Sequence, residues 1–152
     1  MTKIGTVNVR PEHFGSEVDV AVNPNGTRAY AVVRDRSTND WGLSVIDINP
    51  NSATYNREIA VINVPSSTVG VWATDVALST DGSRAYVLNS DGQVVVIDTG
   101  TNQVTGAFTV YDANTYDSSA SIAVGADGTI YITHAYLGTV FAATVGQSTQ
   151  QM

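Results

Sequence analysis

The sequence predicts an all-β chain built from repeated four-stranded blades, and three observations predict it. A short apolar strand, a turn closed by Gly and a second strand bearing Tyr occur together three times, at 19–32, 75–88 and 121–132. The apolar runs are short or alternating, and Gly, Pro, Asn or Asp bounds each of them, which is the punctuation of strands and hairpins. No stretch of ten residues carries the 3.6-residue period of an amphipathic helix.

Taken in order, residues 4–9 read as a strand with Ile4, Thr6 and Asn8 on one side and Val7 and Val9 on the other. A polar and aromatic loop at 10–17 carries His13 and Phe14. The first repeat then supplies strands a and b, joined by Asn23-Pro24-Asn25-Gly26. Pro presets φ at the first turn position and Gly accepts the positive φ that closes the hairpin. Asp81-Gly82 and Asp127-Gly128 play that part in the later copies. A third strand, c, follows at 43–47, 94–98 and 140–144, and a fourth, d, at 59–64 and 106–110.

The strand order is therefore d-abcd-abcd-abc. Gly26 to Gly82 spans 56 residues and Gly82 to Gly128 spans 46, in or near the range of a β-propeller blade. The difference falls in two connections: Tyr30 to Asp47 and Asp47 to Val64 each span 17 residues, where Tyr86 to Asp98 and Asp98 to Val110 each span 12. Insertions confined to loops between strands of fixed length are what a repeat array tolerates. Blade 1 is expected at about 19–64, blade 2 at about 75–110 and blade 3 at about 119–145.

The residues Val20-Ala21-Val22-Asn23-Pro24-Asn25-Gly26-Thr27-Arg28-Ala29-Tyr30, followed by Ser44-Val45-Ile46-Asp47, resemble the YVTN family of β-propeller repeats. The resemblance covers essentially the whole chain. It implies a propeller like those of lactonase-type and surface-layer proteins, and it tilts the expected location toward secretion or the cell surface. The third copy departs from the pattern, with no Arg before its Tyr strand and no Asp ending strand c. Such repeats serve many functions, so they imply a scaffold more than an activity.

Composition narrows the partners. With 43% hydrophobic and 14% charged residues the chain has the means to build a core. A net charge of −7 repels nucleic acid and anionic membranes. The absence of cysteine excludes disulfides, thiolate catalysis and Cys-ligated zinc. No apolar run approaches the roughly 20 residues of a membrane helix, so no membrane insertion is expected. The first residues, Met1-Thr2-Lys3-Ile4-Gly5-Thr6, lack the apolar core of a signal peptide.

Candidate site residues cluster by connection. Trp41, Trp72, Phe14, Tyr111, Tyr116 and Tyr136, with His13 and His134, all map to d–a or b–c connections, hence to one face of a propeller. Aromatic clusters of this kind recognise sugars, peptides and proteins; a loop Trp also plugs gaps between blades. The two histidines lack the paired spacing of a metal site and read as ordinary loop residues. Asp19, Asp75 and Ser121 open strand a and line the central channel. They form either a carboxylate ring for a cation or, the reading favoured here, acceptors for backbone N–H groups. Asp47 and Asp98 read as turn caps, and Tyr30, Tyr86 and Tyr131 as core.

There is no Gly-x-Ser-x-Gly, P-loop, dinucleotide fingerprint or catalytic triad, so no cofactor and no bound metal are expected. The expected function is binding of a protein or glycan on the loop face, with a lactonase-like hydrolase or a purely structural segment as alternatives. Three blades do not close a ring. The orphan d strand at 4–9 and the terminal abc set together make one blade. A homodimer is therefore expected, closing six blades by exchange of strand 4–9; a trimer of nine blades obeys the same pairing but exceeds the usual blade number.

Overall fold

The computed structural model describes residues 6–7, 17–34, 40–65, 71–111, 115–145 and 150–151. Among these the chain is all β, in three four-stranded antiparallel sheets. Blade 1 comprises β1 (Glu17–Val22), β2 (Arg28–Arg34), β3 (Trp41–Asp47) and β4 (Arg57–Val64). Blade 2 comprises β5 (Ala73–Leu78), β6 (Arg84–Asn89), β7 (Gln93–Asp98) and β8 (Gln103–Thr109). Blade 3 comprises β9 (Ser121–Val124), β10 (Ile130–His134), β11 (Thr139–Ala143) and the short β12 (Gln150–Gln151). Strands pair in sequence order within every sheet. No described segment is a helix long and apolar enough to cross a membrane.

The a–b turns form as their residues dictate. Gly26 and Gly82 have φ of 67° and 72°, and the Gly82 amide donates to the Ser79 carbonyl at 2.8 Å. Asp81 accepts the Ser83 amide at 3.0 Å and the Ser79 hydroxyl at 2.6 Å. The c–d turns are capped as expected. Asp98 accepts the amides of Gly100 and Thr101 at 3.0 and 2.8 Å, and Asp47 accepts that of Asn49 at 2.9 Å.

Alternation along the strands gives each blade a leading and a trailing face. The trailing face of blade 1 (Tyr30, Val32, Leu43, Val45) packs against the leading face of blade 2 (Val76, Ala85, Val87, Val95, Ile97) in one core. The trailing face of blade 2 (Tyr86, Leu88, Val94, Val96) packs against the leading face of blade 3 (Ile122, Ile130, Ile132, Phe141) in a second. The innermost strands β1, β5 and β9 lie side by side.

Both ends of this arc differ from its middle. Tyr30 and Tyr86 are 1% and 4% exposed, but Tyr131 is 37% exposed. The expectation that all three are core is corrected for Tyr131, because among the described residues no further blade packs on its side of the sheet. At the other end, Ala29, Ala31, Val33 and Ile46 are buried with Val7 and Ile48 against them. The chain itself supplies the fourth strand of blade 3: β12 pairs with β11 at Phe141↔Gln151 and Ala142↔Gln150. Of the strand expected at 4–9, only Thr6 and Val7 fall within the described residues.

Candidate functional site

The loop face between blades 2 and 3 is held by one buried acid. Asp117, in the connection between β8 and β9, accepts the backbone amide of Ser119 at 2.8 Å and those of Ala135 and Tyr136 in the β10–β11 turn. Burial works against its charge, but the hydrogen bonds from these amides outweigh burial and hold the carboxyl below its ordinary range. His134, the last residue of β10, is 1% exposed. Its Nδ1 lies 3.2 Å from Asp117 Oδ2 and 3.2 Å from the Leu137 amide. An amide only donates, so the Leu137 contact belongs to the neutral ring with its proton on Nε2, an atom buried without a hydrogen-bond partner. Tyr111 meets the imidazole edge-on at 4.4 Å. Burial first, then the charges of Asp117 and Asp91, keep the Tyr111 phenol protonated.

Ser90, in the β6–β7 turn, joins this cluster to blade 2. Its amide donates to the Trp72 carbonyl at 2.8 Å, its carbonyl accepts the Asp117 amide at 2.9 Å, and its hydroxyl accepts the Trp72 amide at 3.3 Å. The product is a β10–β11 turn anchored from below, with side chains left to solvent above. Tyr136 is 83% exposed, and Leu137 and Tyr116 are exposed as well.

The residues expected on one aromatic face therefore divide. Tyr116, Tyr136 and Trp72 are exposed. Tyr111 and His134 lie beneath them as supports. Trp41 is not in a loop: it opens β3, is 8% exposed and packs with Leu43, Ile62, Val64 and Ala73 between blades 1 and 2. His13 and Phe14 lie outside the described residues. Sequence reading missed Asp117, Ser90 and Leu137. An acid directly after Tyr116, in the connection that faces the β10–β11 turn, was the available signal for the first.

Asp19, Asp75 and Ser121, on the neighbouring strands β1, β5 and β9, are linked blade to blade. Asp19 Oδ2 accepts the Val76 amide at 3.3 Å. Asp75 Oδ2 accepts the Ile122 amide at 2.8 Å and the Ser121 hydroxyl. The strand register shifts beside both carboxylates, between Glu17 and Val20 and between Ala73 and Asp75. Burial, reinforced by a hydrogen bond and repulsion from Asp19, pushes Asp75 up to about 6. No group of three His, Cys, Asp or Glu side chains able to hold a metal occurs among the described residues. On the opposite face, the a–b turns of blades 2 and 3 border an open cleft of about 490 Å³ lined by Asp81, Arg84, Tyr86, Asp127 and Thr144. Asp81 and Asp127 are both held low by hydrogen bonds from their own turns.

No family model matches the chain. It is 30% identical over 146 residues to the seven-bladed beta-propeller protein Rv1057 of Mycobacterium tuberculosis, an alignment covering 91% of this chain and 33% of that protein. The chain thus spans about a third of the length of this curated relative. In three dimensions it superposes on Kuenenia stuttgartiensis hydrazine synthase with a TM-score of 0.64 at 16% identity, covering 95% of this chain and 38% of the other. The fold is a partial β-propeller. At 16% identity the second likeness speaks for the fold alone.

Proposed function

We propose that the chain is a YVTN-type propeller segment that serves as a binding scaffold, taking a protein or glycan ligand on the face built by the d–a and b–c connections. One observation carries this reading. Tyr136 is 83% exposed at the tip of a turn whose backbone amides are tied down by Asp117 and His134. An exposed aromatic on a mobile loop loses entropy on binding, whereas one on an anchored turn is already ordered. Leu137, next in the same turn, and Tyr116, next to Asp117, are exposed as well, and aromatic side chains of this kind stack on sugar rings or fill pockets in a protein partner.

A lactonase-like site at the channel mouth is less well supported. Its obvious acids, Asp19 and Asp75, already accept backbone amides across the blade junctions. The test is binding of the wild type to an immobilised glycan array and a peptide library, repeated with Tyr136→Ala and Tyr116→Ala. Binding lost in the variants at unchanged melting temperature supports the reading. Retention equal to wild type in both variants, or no binding by any of the three, removes it.

A further inference from the structure

We propose that the β10–β11 turn carries a proton switch: protonation of His134 passes its Nδ1 from the Leu137 amide to the Asp117 carboxylate and frees the Leu137 side of the turn. The argument starts from one atom. Nδ1 lies 3.2 Å from the Leu137 amide nitrogen, which only donates, and 3.2 Å from Asp117 Oδ2, which as a carboxylate oxygen only accepts. One ring nitrogen cannot serve both. Without a proton it accepts from Leu137 and turns its lone pair on the carboxylate. With a proton it donates to Asp117 and confronts the amide hydrogen. Nε2, buried without a hydrogen-bond partner, carries its proton in either state, so protonation rewrites the bonding of Nδ1 alone.

A charged ring at this place has a counter-charge at hand. Asp117, from the β8–β9 connection, is held ionised by the amides of Ser119, Ala135 and Tyr136. Asp91, from the β6–β7 turn, adds a second acid whose charge reaches Tyr111. Tyr111, after β8, and Phe141, on β11, face the imidazole at 4.4 and 6.5 Å, and the Tyr111 phenol stays neutral. The turn is built to yield on one side. Ala135 and Tyr136 are bonded to Asp117, not to the ring, so they keep their acceptor. Leu137 is 47% exposed and precedes Gly138, which has a φ of 62° and open space around it, so the Leu137 amide has room to turn to water. The consequence for function rests on the binding role proposed for Tyr136: mild acid loosens the turn that neutral pH keeps ordered, and weakens capture there.

The test uses the chain without any ligand. Isotope-labelled histidine is followed by NMR from pH 8 to pH 5, and comparison with His13→Gln assigns the His134 signals, since the chain has two histidines. The neutral ring is expected with its proton on Nε2. As pH falls the ring should take a second proton, and the Leu137 amide resonance should move with the same midpoint. The protection of that amide against hydrogen exchange should drop about tenfold, while Ala135 and the strands β6 and β7 hold theirs. His134→Asn does not titrate, and its Oδ1 replaces Nδ1 as acceptor, so its Leu137 protection should be the same at both ends of the range. Asp75, pushed up to about 6, titrates in the same window but bonds Ser121 and Ile122, and it is intact in this variant. A ring that stays neutral down to pH 5 overturns the proposal. So does a neutral ring protonated on Nδ1, or a Leu137 amide that ignores the imidazole or still follows pH in His134→Asn. If that variant does not fold, the wild-type titration decides. Ligand capture at Tyr136 is measured separately, so either idea can fail without the other.

Discussion

Asp75 accepts the backbone amide of Ile122 at 2.8 Å, across the junction between the second and third blades. Asp19 does the same for Val76 one junction earlier, so each of the two junctions is laced by a carboxylate that reaches forward to the next blade. Asp75 carries a cost for this position. Burial, then the hydrogen bond and charge of Asp19, raise it to about 6, against about 3.9 in an unfolded chain. Between those values the native state holds more protons than the unfolded state, so the Asp75 contribution to stability falls as pH rises through that window and stays at its lower level above it. The Asn variant mimics the protonated acid: its Oδ1 accepts from Ile122 and its amide donates to Asp19. Asp75→Asn should therefore gain stability over wild type as pH goes from 4 to 7, with the two close together at pH 4. Urea titrations across that range measure it, and a difference that shrinks with rising pH contradicts the assignment.

The a–b turns predict a graded pair of glycine substitutions. Gly26 and Gly82 both have positive φ, but a Cβ on Gly26 meets nothing within 4 Å, while one on Gly82 comes 2.9 Å from Pro24 Cδ in the turn of blade 1. Gly26→Ala should cost about 1 kcal/mol through backbone strain alone. Gly82→Ala should cost more, because the two turns must also separate. Equal losses in denaturant titrations would show that the turns do not touch in solution.

Trp41 and Trp72 are expected to behave oppositely. Trp41→Ala empties a site between blades 1 and 2 and should cost about 3–5 kcal/mol, and the Arg34 guanidinium 5.8 Å from its ring loses a partner as well. Trp72 is 38% exposed, and its hydrogen bonds to Ser90 run through its own backbone. Trp72→Ala should cost under about 1 kcal/mol. Thermal unfolding of the two variants distinguishes the plug from the surface residue.

Local physics explains which features could be read in the sequence. Strand alternation and positive-φ glycines are written in neighbouring residues, so the a–b hairpins around Gly26 and Gly82 follow directly from them. That Asp19 and Asp75 accept backbone amides was legible for the same reason, since both occupy one repeat position, but that those amides belong to the next blade appears only in the fold. Trp41 was misplaced because it sits at the boundary of β3, and a boundary is set by pairing to Val64 on another strand. The Asp117–His134 contact joins residues that hold no common repeat position, and only the folded blade brings them together. Tyr131 shows the limit of repeat logic: the same residue in the same register is core or surface according to whether another blade follows.

Asp117 offers the most direct test of the anchored turn. It accepts amides from Ser119, Ala135 and Tyr136 and lies 3.2 Å from His134 Nδ1. Asp117→Ala leaves these donors without their acceptor in a buried setting, which should cost about 1–3 kcal/mol. The loss should be local before it is global, because the turn at 135–138 is the part that depends on the carboxylate. Hydrogen exchange should then speed up at the Ala135 and Tyr136 amides while those of β6 and β7 keep their protection. Asp117→Asn with its oxygen in the place of Oδ2 keeps the acceptor of the Ala135 and Tyr136 amides and gives up only the one facing Ser119, so it should restore most of the protection. An alanine variant with unchanged exchange at Ala135 would mean that the turn is held by other contacts, and would take away the rigidity on which binding at Tyr136 is argued.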